Sequence, residues 1–242
     1  MTTTLPNPSE LSTKSAEELL TLAAEQFGDR AAIGTSLQKS GVVMIDMAHR
    51  LGLSLRVFFV DTLLNPPETY ELLDIVQERY GITIERFEPD AEGLDWLGQT
   101  FGQNAHFYSR QLCCRVRKVA PLQRALVTVD AWITGVRADQ SAYRNEGGLK
   151  VDIVETEDSR ELLKLNPVFD WTDEQIDAYI AAHDVPINAL YDYVSPFGEK
   201  YRVIGCTCCH VPVKDTMDKR MGKFPWEQGS KECGMHNHGG GI

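Results

Sequence analysis

Two close cysteine pairs, Cys113-Cys114 and Cys206-x-x-Cys209, are the residues of this chain whose type and spacing specify chemistry most directly. Adjacent cysteines can barely bridge each other in ordinary backbone geometry, and a Cys-x-x-Cys pair presents two sulfurs from one turn. The natural partner of both pairs is therefore a metal centre rather than a disulfide. All four ligands would be soft thiolates, and two distant segments can clamp one zinc ion or one iron-sulfur cluster between them. Spacing alone also allows a blander reading, four unrelated buried cysteines in a reducing compartment. The first pair opens the most basic run of the chain, Arg110-Gln-Leu-Cys-Cys-Arg-Val-Arg-Lys118. Such a run is ordinarily a solvated helix face. Beside ligating thiolates its charge also lowers thiol pKa, offsets the negative charge of a thiolate cluster and attracts an anionic substrate.

The scaffold that must position these groups is bounded by composition. With 242 residues, 43% apolar and 24% charged, the chain is long enough to bury a sizeable core and reads as one soluble α/β domain. No window of about eighteen apolar residues occurs, and Met1-Thr-Thr-Thr-Leu-Pro-Asn-Pro8 lacks a basic region followed by an apolar run. Neither a membrane span nor a signal peptide is expected, and the expected location is the cytoplasm, where thiols stay reduced. A net charge of -11 argues against a general nucleic-acid binder, so an anionic small molecule would need a local basic pocket.

Taken in order, residues 1–14 read as a mobile arm. Ser15-Ala-Glu-Glu18 has capping-box spacing and opens a helix with the apolar stripe Leu19, Leu20, Ala23, Ala24 and Phe27, closed by Gly28. Ala31 to Ser36 reads as a buried strand, followed by the turn Gly34 to Gly41 and a helix through Leu51. Strand, small-residue loop, helix is where α/β proteins hold phosphate, which makes Ser36 a candidate ligand contact, although such loops are often plain turns. Leu55 to Asp61 is a second buried strand, with Asp61 and Thr62 at the carboxyl end where ligands sit. A helix from Pro66-Pro67, a strand at Ile82 to Phe87 and an acidic connector, Glu88 to Gly93, come next. Asp130 to Gly135 is a fourth strand running into Arg137, Asp139, Gln140 and Arg144. Glu146 to Ser159 reads as an excursion, Leu162 to Val168 as a short strand, and Thr172 with Gln175 caps a further helix. Alternating strands and helices without a composition break indicate a doubly wound, mainly parallel sheet over 15–204, with 205–242 as an appendage carrying the second cysteine pair.

Five motifs now stand in order: Cys113-Cys-Arg-Val-Arg-Lys-Val-Ala-Pro-Leu122, Trp132-Ile-Thr-Gly-Val-Arg-Ala-Asp-Gln140, Asn166-Pro-Val-Phe-Asp-Trp-Thr172, Gly205-Cys-Thr-Cys-Cys209 and Lys231-Glu-Cys-Gly-Met-His236. Over nearly its whole length the chain resembles the bacterial assimilatory adenylyl-sulfate (APS) reductases, the cluster-containing branch of the phosphoadenylyl-sulfate (PAPS) reductase family. The resemblance implies an adenine nucleotide alpha hydrolase-like fold and a 4Fe-4S cluster on Cys113, Cys114, Cys206 and Cys209. It implies that Cys233 is the nucleophile, forming an S-sulfocysteine that thioredoxin resolves with release of sulfite, in sulfate assimilation and cysteine biosynthesis. Lys118, Arg137, Arg220, Lys223 and His236 map onto the family's substrate-binding positions, joined here by Ser36 and Asp61. A homo-oligomer is a further expected partnership.

The chain departs from the family pattern in places. Leu63 stands where the family has the glycine of Leu-Asp-Thr-Gly, Lys223 replaces the second arginine of Arg-x-Gly-Arg, Cys208 is an extra thiol where proline is common, and His210 replaces a small polar residue. Three other readings are weighed: a PAPS reductase, an ATP-using tRNA-thiolation or amidation enzyme on the same fold, and a non-catalytic zinc or iron-sulfur redox module. The second needs a Ser-Gly-Gly-x-Asp-Ser loop, which Gly34 to Gly41 does not supply. The third requires Cys233 to be dispensable.

Overall fold

The computed structural model describes residues 5–228 and Lys231. Six strands form one sheet in the order β3-β2-β1-β4-β6-β5. In chain order the first four are β1 (Ala31–Thr35), β2 (Arg56–Val60), β3 (Ile84–Phe87) and β4 (Ala131–Thr134), all parallel to their neighbours. β5 (Val151–Glu155) and β6 (Glu161–Leu165) form an antiparallel hairpin, and β6 joins β4 in parallel. The chain leaves β1 outward in both directions, so the strand order reverses between β1 and β4. That switch point opens a crevice at the carboxyl ends of the two strands.

Period-two alternation divides the strands between two cores. Ile33, Val57, Phe59, Ile133, Leu163 and Leu165 face α2 (Ala16–Phe27), α3 (Lys39–Arg50) and α4 (Pro67–Tyr80). Ala32, Phe58, Trp132 and Leu162 face Leu122, Ala125 and Leu126 on the other side. A strand covered on both faces is apolar along most of its length, which is why β1, β2 and β4 stand out in the sequence. The expected caps form as read. Ser15 Oγ accepts from Glu18 N at 3.2 Å while Glu18 Oε2 accepts from Ser15 N at 2.7 Å, and Thr172 with Gln175 does the same at the start of α10 (Asp173–His183).

Three segments differ from the expectation. The supposed mobile arm contains α1 (Pro8–Leu11), capped by Asn7 and pinned by Leu11, which is buried in the core. The acidic connector starts α5 (Ala91–Phe101), because the Asp90 carboxylate accepts from Gly93 N at 2.6 Å and so caps a helix. The supposed excursion takes in the end of α9 (Ala142–Gly147) and the edge strand β5, whose acidic residues face outward or pair across to β6.

One cross-strand pair has a consequence for stability. Lys164 on β6 faces Trp132 on β4 and Asp152 on β5, and its ammonium lies 4.9 Å from the Trp132 ring centre. Burial lowers its pKa from 10.5 to about 8, only partly opposed by the charge of Asp152. The unfolded chain therefore holds this proton more tightly than the folded one, at a cost to folding of about 3 kcal/mol at neutral pH. That cost is complete below the folded pKa and vanishes as pH climbs towards the unfolded one. Lys164→Met should accordingly raise the urea midpoint at about pH 7, with a gain that shrinks by about pH 10. A loss of stability in the variant at neutral pH would contradict the reading.

Candidate active site

The crevice holds a cavity of about 550 Å³. Its floor is the β1–α3 loop, its side is the loop after β4, and its roof is the irregular chain of residues 200–223. Two glycines make the close approach possible. A Cβ on Gly34 would lie 2.5 Å from Trp132 Nε1 and 2.6 Å from Phe58 Cζ, and one on Gly135 would lie 3.0 Å from Ser40 Cβ and 3.1 Å from Gly41 N. Both positions therefore exclude a side chain. Nine cations line the cavity, Lys39, Lys118, Arg137, Arg144, Lys200, Arg202, Lys219, Arg220 and Lys223, against four carboxylates, Asp173, Glu174, Asp177 and Asp215. In a chain of net charge -11 this is the local basic pocket that an anionic ligand requires.

Arg137 is held by four partners. Its Nε donates to Ser40 Oγ at 3.0 Å, Nη1 to Trp171 O at 2.9 Å and Asp139 at 3.3 Å, and Nη2 to Asp173. Lys219 joins the same acids, 3.1 Å from Asp139 and 2.9 Å from Asp173, which ties the roof to the α/β body. Burial by itself would raise the Asp173 carboxyl, but Lys219 and Arg137 together outweigh it and bring the group below its ordinary value. Arg220, next to Lys219, is buried and donates to Lys231 O at 3.0 Å.

Behind the cavity lies the cysteine site. After the short α6 (Ala105–Tyr108), α7 (Arg110–Cys114) continues through a π turn, Arg115–Val119, into α8 (Ala120–Leu126), so Cys113 and Cys114 sit on a helix that widens just after them. The second pair comes from a tight turn in which Cys209 N donates to Cys206 O at 2.8 Å, and Thr207 N to Leu64 O pins this turn beside the β2 loop. Cys113, Cys114, Cys206 and Cys209 are all buried. Together with Cys208 they line one cleft, whose other walls include Arg117, Lys118 and Leu64. Cys206 Sγ is 3.3 Å from Thr62 Oγ1, and Cys208 Sγ is 3.5 Å from Cys209 Sγ. The Cys206 thiol lies well below its ordinary pKa, first through its hydrogen bond with Cys209 and then through Lys118, whereas Cys209 is pushed up by the same contact. Burial pushes the Cys113 thiol up. Trp226 packs on this group, and its indole N–H has no acceptor among the described residues. The described residues include no set of three His, Cys, Asp or Glu converging tightly enough for a single metal ion.

Of the residues expected from sequence, Ser36, Lys118, Arg137, Arg220 and Lys223 line the cavity. Lys118 and Cys206 line both the cavity and the cysteine cleft, so the two sites share a wall. Asp61 differs from the expectation. It is fully buried and absent from the lining, because its oxygens accept from Leu63 N, Asn65 Nδ2, Tyr70 Oη and Arg86 Nη2. It holds the turn in which Leu63 adopts φ 57°, a conformation natural to glycine. Cys233 and His236 lie outside the described residues. His210 is buried, with Nδ1 2.8 Å from Cys206 O and its ring against Tyr201, and burial lowers its pKa. Sequence reasoning missed Lys219 as the tie between roof and body and Trp132 as part of the cavity wall. The only signal for Trp132 was its place in a strand running into Arg137.

The phosphoadenosine phosphosulfate reductase domain matches residues 30–212 of this chain. The chain belongs to that family. Members of this reductase family are oxidoreductases, and the curated relatives agree. An adenosine 5'-phosphosulfate reductase of Allochromatium vinosum is 36% identical over 225 residues, covering 91% of this chain and 84% of the relative. One of Neisseria meningitidis serogroup B is 39% identical over 211 residues, covering 85% and 82%. Among solved structures, the phosphoadenylyl-sulfate (PAPS) reductase of Candida auris, a phosphate complex, superposes with a TM-score of 0.70 at 27% identity, covering 87% of this chain and all of that one. The reductase fold is adenine nucleotide alpha hydrolase-like. Among the described residues no helix is long and apolar enough to cross a membrane.

Proposed function

We propose that this chain reduces adenylyl sulfate (APS) to sulfite and AMP with thioredoxin as reductant, in the cytoplasm, as a step of assimilatory sulfate reduction. The observation that carries the reading is the shared wall. A basic cavity at the sheet's switch point meets a five-cysteine cleft at Lys118 and Cys206, in a chain whose relatives are named for this reaction.

The steps assigned to the chain's own residues are these. Cationic side chains of the cavity, Lys118, Arg220 and Lys223 among them, bind the phosphosulfate oxygens and hold the charge that grows on the departing phosphate. The Cys233 thiolate attacks the sulfate sulfur, forming an S–S bond as the S–O bond to AMP breaks, and AMP leaves with that electron pair. A thioredoxin thiolate then attacks Cys233 Sγ and sulfite departs. The second thioredoxin thiol resolves the mixed disulfide, so the two electrons come from thioredoxin, which is oxidised to its disulfide. Arg137, with its guanidinium spread over Ser40, Asp139, Trp171 and Asp173, shapes the cavity beside the β1–α3 loop.

The cysteine cleft suits a 4Fe-4S cluster held by Cys113, Cys114, Cys206 and Cys209. Its donor set is all thiolate, and the acceptorless Trp226 N–H packed on it fits a sulfur acceptor. When bound there, such a cluster supplies a compact anionic centre against the Lys118 side of the wall.

Steady-state kinetics with thioredoxin tests the substrate. The cavity cations include several already committed to carboxylates, Lys39 to Asp177, Lys200 to Asp215 and Lys219 to Asp139 and Asp173. A second phosphate on the ribose would demand cationic partners of its own. APS should turn over with kcat/KM about 10–100-fold above that for PAPS. Equal efficiency on the two nucleotides would reassign the chain to PAPS reduction.

A further inference from the structure

The cleft contains five sulfurs where a cubane takes four. We propose that Cys208 is a spare ligand of this centre, able to occupy the coordination position of Cys209. The proposal rests on the iron-sulfur reading of the cleft and concerns a residue that reading leaves idle. Three observations support it. Cys208 Sγ lies 3.5 Å from Cys209 Sγ. It lines the same cleft as Cys113, Cys114, Cys206 and Cys209, and it packs against the buried group of Cys114, Cys206, Cys209 and Phe224.

The backbone explains why two successive residues can serve one position. Cys206 to Cys209 is a single tight turn closed by the Cys209 N–H on the Cys206 carbonyl, and Phe224 N holds the Cys209 carbonyl at 2.9 Å. Thr207 is exposed, while Cys208 is half-buried and packs against the buried cysteine group. With Cys209 fixed by the turn and by Phe224, its neighbour needs to move its sulfur by only about one sulfur diameter to reach the place that Cys209 vacates. A side-chain rotation with a small adjustment of the turn covers such a distance. Arg117 and Lys118 line the same cleft, so both sulfurs share it with the same two cations. A side chain that merely filled space at position 208 would give none of this, and the two cases part clearly on substitution of Cys209.

The test uses the full chain, prepared anaerobically as wild type, Cys208→Ala, Cys209→Ala and the double variant. The readouts are iron, acid-labile sulfide and visible absorption. Wild type and Cys208→Ala should match. Cys209→Ala should keep at least about half of the iron and sulfide, and the double variant less than about a tenth. Native alkylation followed by peptide mass analysis supplies an independent readout: Cys208 should react in the wild type and be protected in Cys209→Ala. Cys209→Ser, which keeps the side chain's size, repeats the comparison if the alanine variant fails to fold. Cys209 variants as iron-poor as the double variant, or a double variant that keeps as much cluster as Cys209→Ala, would overturn the proposal. A wild-type protein with neither iron nor sulfide would instead remove the cluster reading on which it rests.

Discussion

Cys233→Ser is expected to abolish turnover while leaving the metal centre and nucleotide binding intact. The proposed mechanism gives the attack to Cys233 and the other five cysteines, gathered in one cleft with four of them buried and the fifth against them, to the metal centre. A serine hydroxyl at the same position is a far weaker nucleophile near neutral pH than a thiolate. Incubating the wild type with APS and no reductant should add SO3 to a peptide containing Cys233, and added thioredoxin should release it as sulfite. In the variant both the adduct and catalysis should disappear, with kcat falling by at least about 10³-fold. An adduct on Cys208, or substantial activity in Cys233→Ser, would refute the assignment.

Lys118→Met should produce the second largest loss. This lysine sits in the π turn directly after the cysteine pair, is buried, and lines both cavities. In the proposed complex a cation in that position faces the phosphosulfate on one side and the cysteine cleft on the other, so its charge is used in a site with little water to screen it. Removing it should lower kcat/KM by about 10²–10³-fold, the scale of a lost transition-state partner. Iron and sulfide contents should stay at the wild-type level, and Lys118→Arg should recover part of the activity, since charge is the property in question. A variant that loses its metal along with its activity would show that Lys118 serves the cysteine centre and not the substrate.

Much of this architecture is legible in the sequence because burial on both faces leaves a plain mark. β1, β2 and β4 are apolar runs, and Ser15 and Thr172 cap their helices through the side chains that signal it. The strand β5 is less visible: as a half-buried edge it carries Asp152 and Glu155, and only its pairing with β6 makes it a strand. The cysteine pairs point to a common site through type and spacing, and the cleft brings them together. Asp61 shows the limit of reading polarity at a strand end as ligand contact, since a carboxylate can equally be consumed by Leu63 and Asn65 of its own turn, Tyr70 on α4 and Arg86 on β3. The tie of Lys219 to Asp139 and Asp173 joins residues far apart in the chain, and nothing local announces it.

The roof has a sheet of its own in name only. Residues 194–223, the roof and the segment that leads into it, are joined by three isolated bridges, Val194 to Lys200, Lys200 to Val213 and His210 to Lys223. A segment built this way is expected to open as one unit, with a free energy below that of global unfolding. Because it carries Cys206, Cys209, Arg220 and Lys223 together, one opening event breaches both the cysteine cleft and the nucleotide cavity. Anything that binds either place while the roof is closed adds its binding free energy to the same closing equilibrium. Amide exchange across 194–223 is thus a common gauge for metal and nucleotide: occupancy of one should slow exchange of the whole roof and, by linkage, tighten the hold on the other.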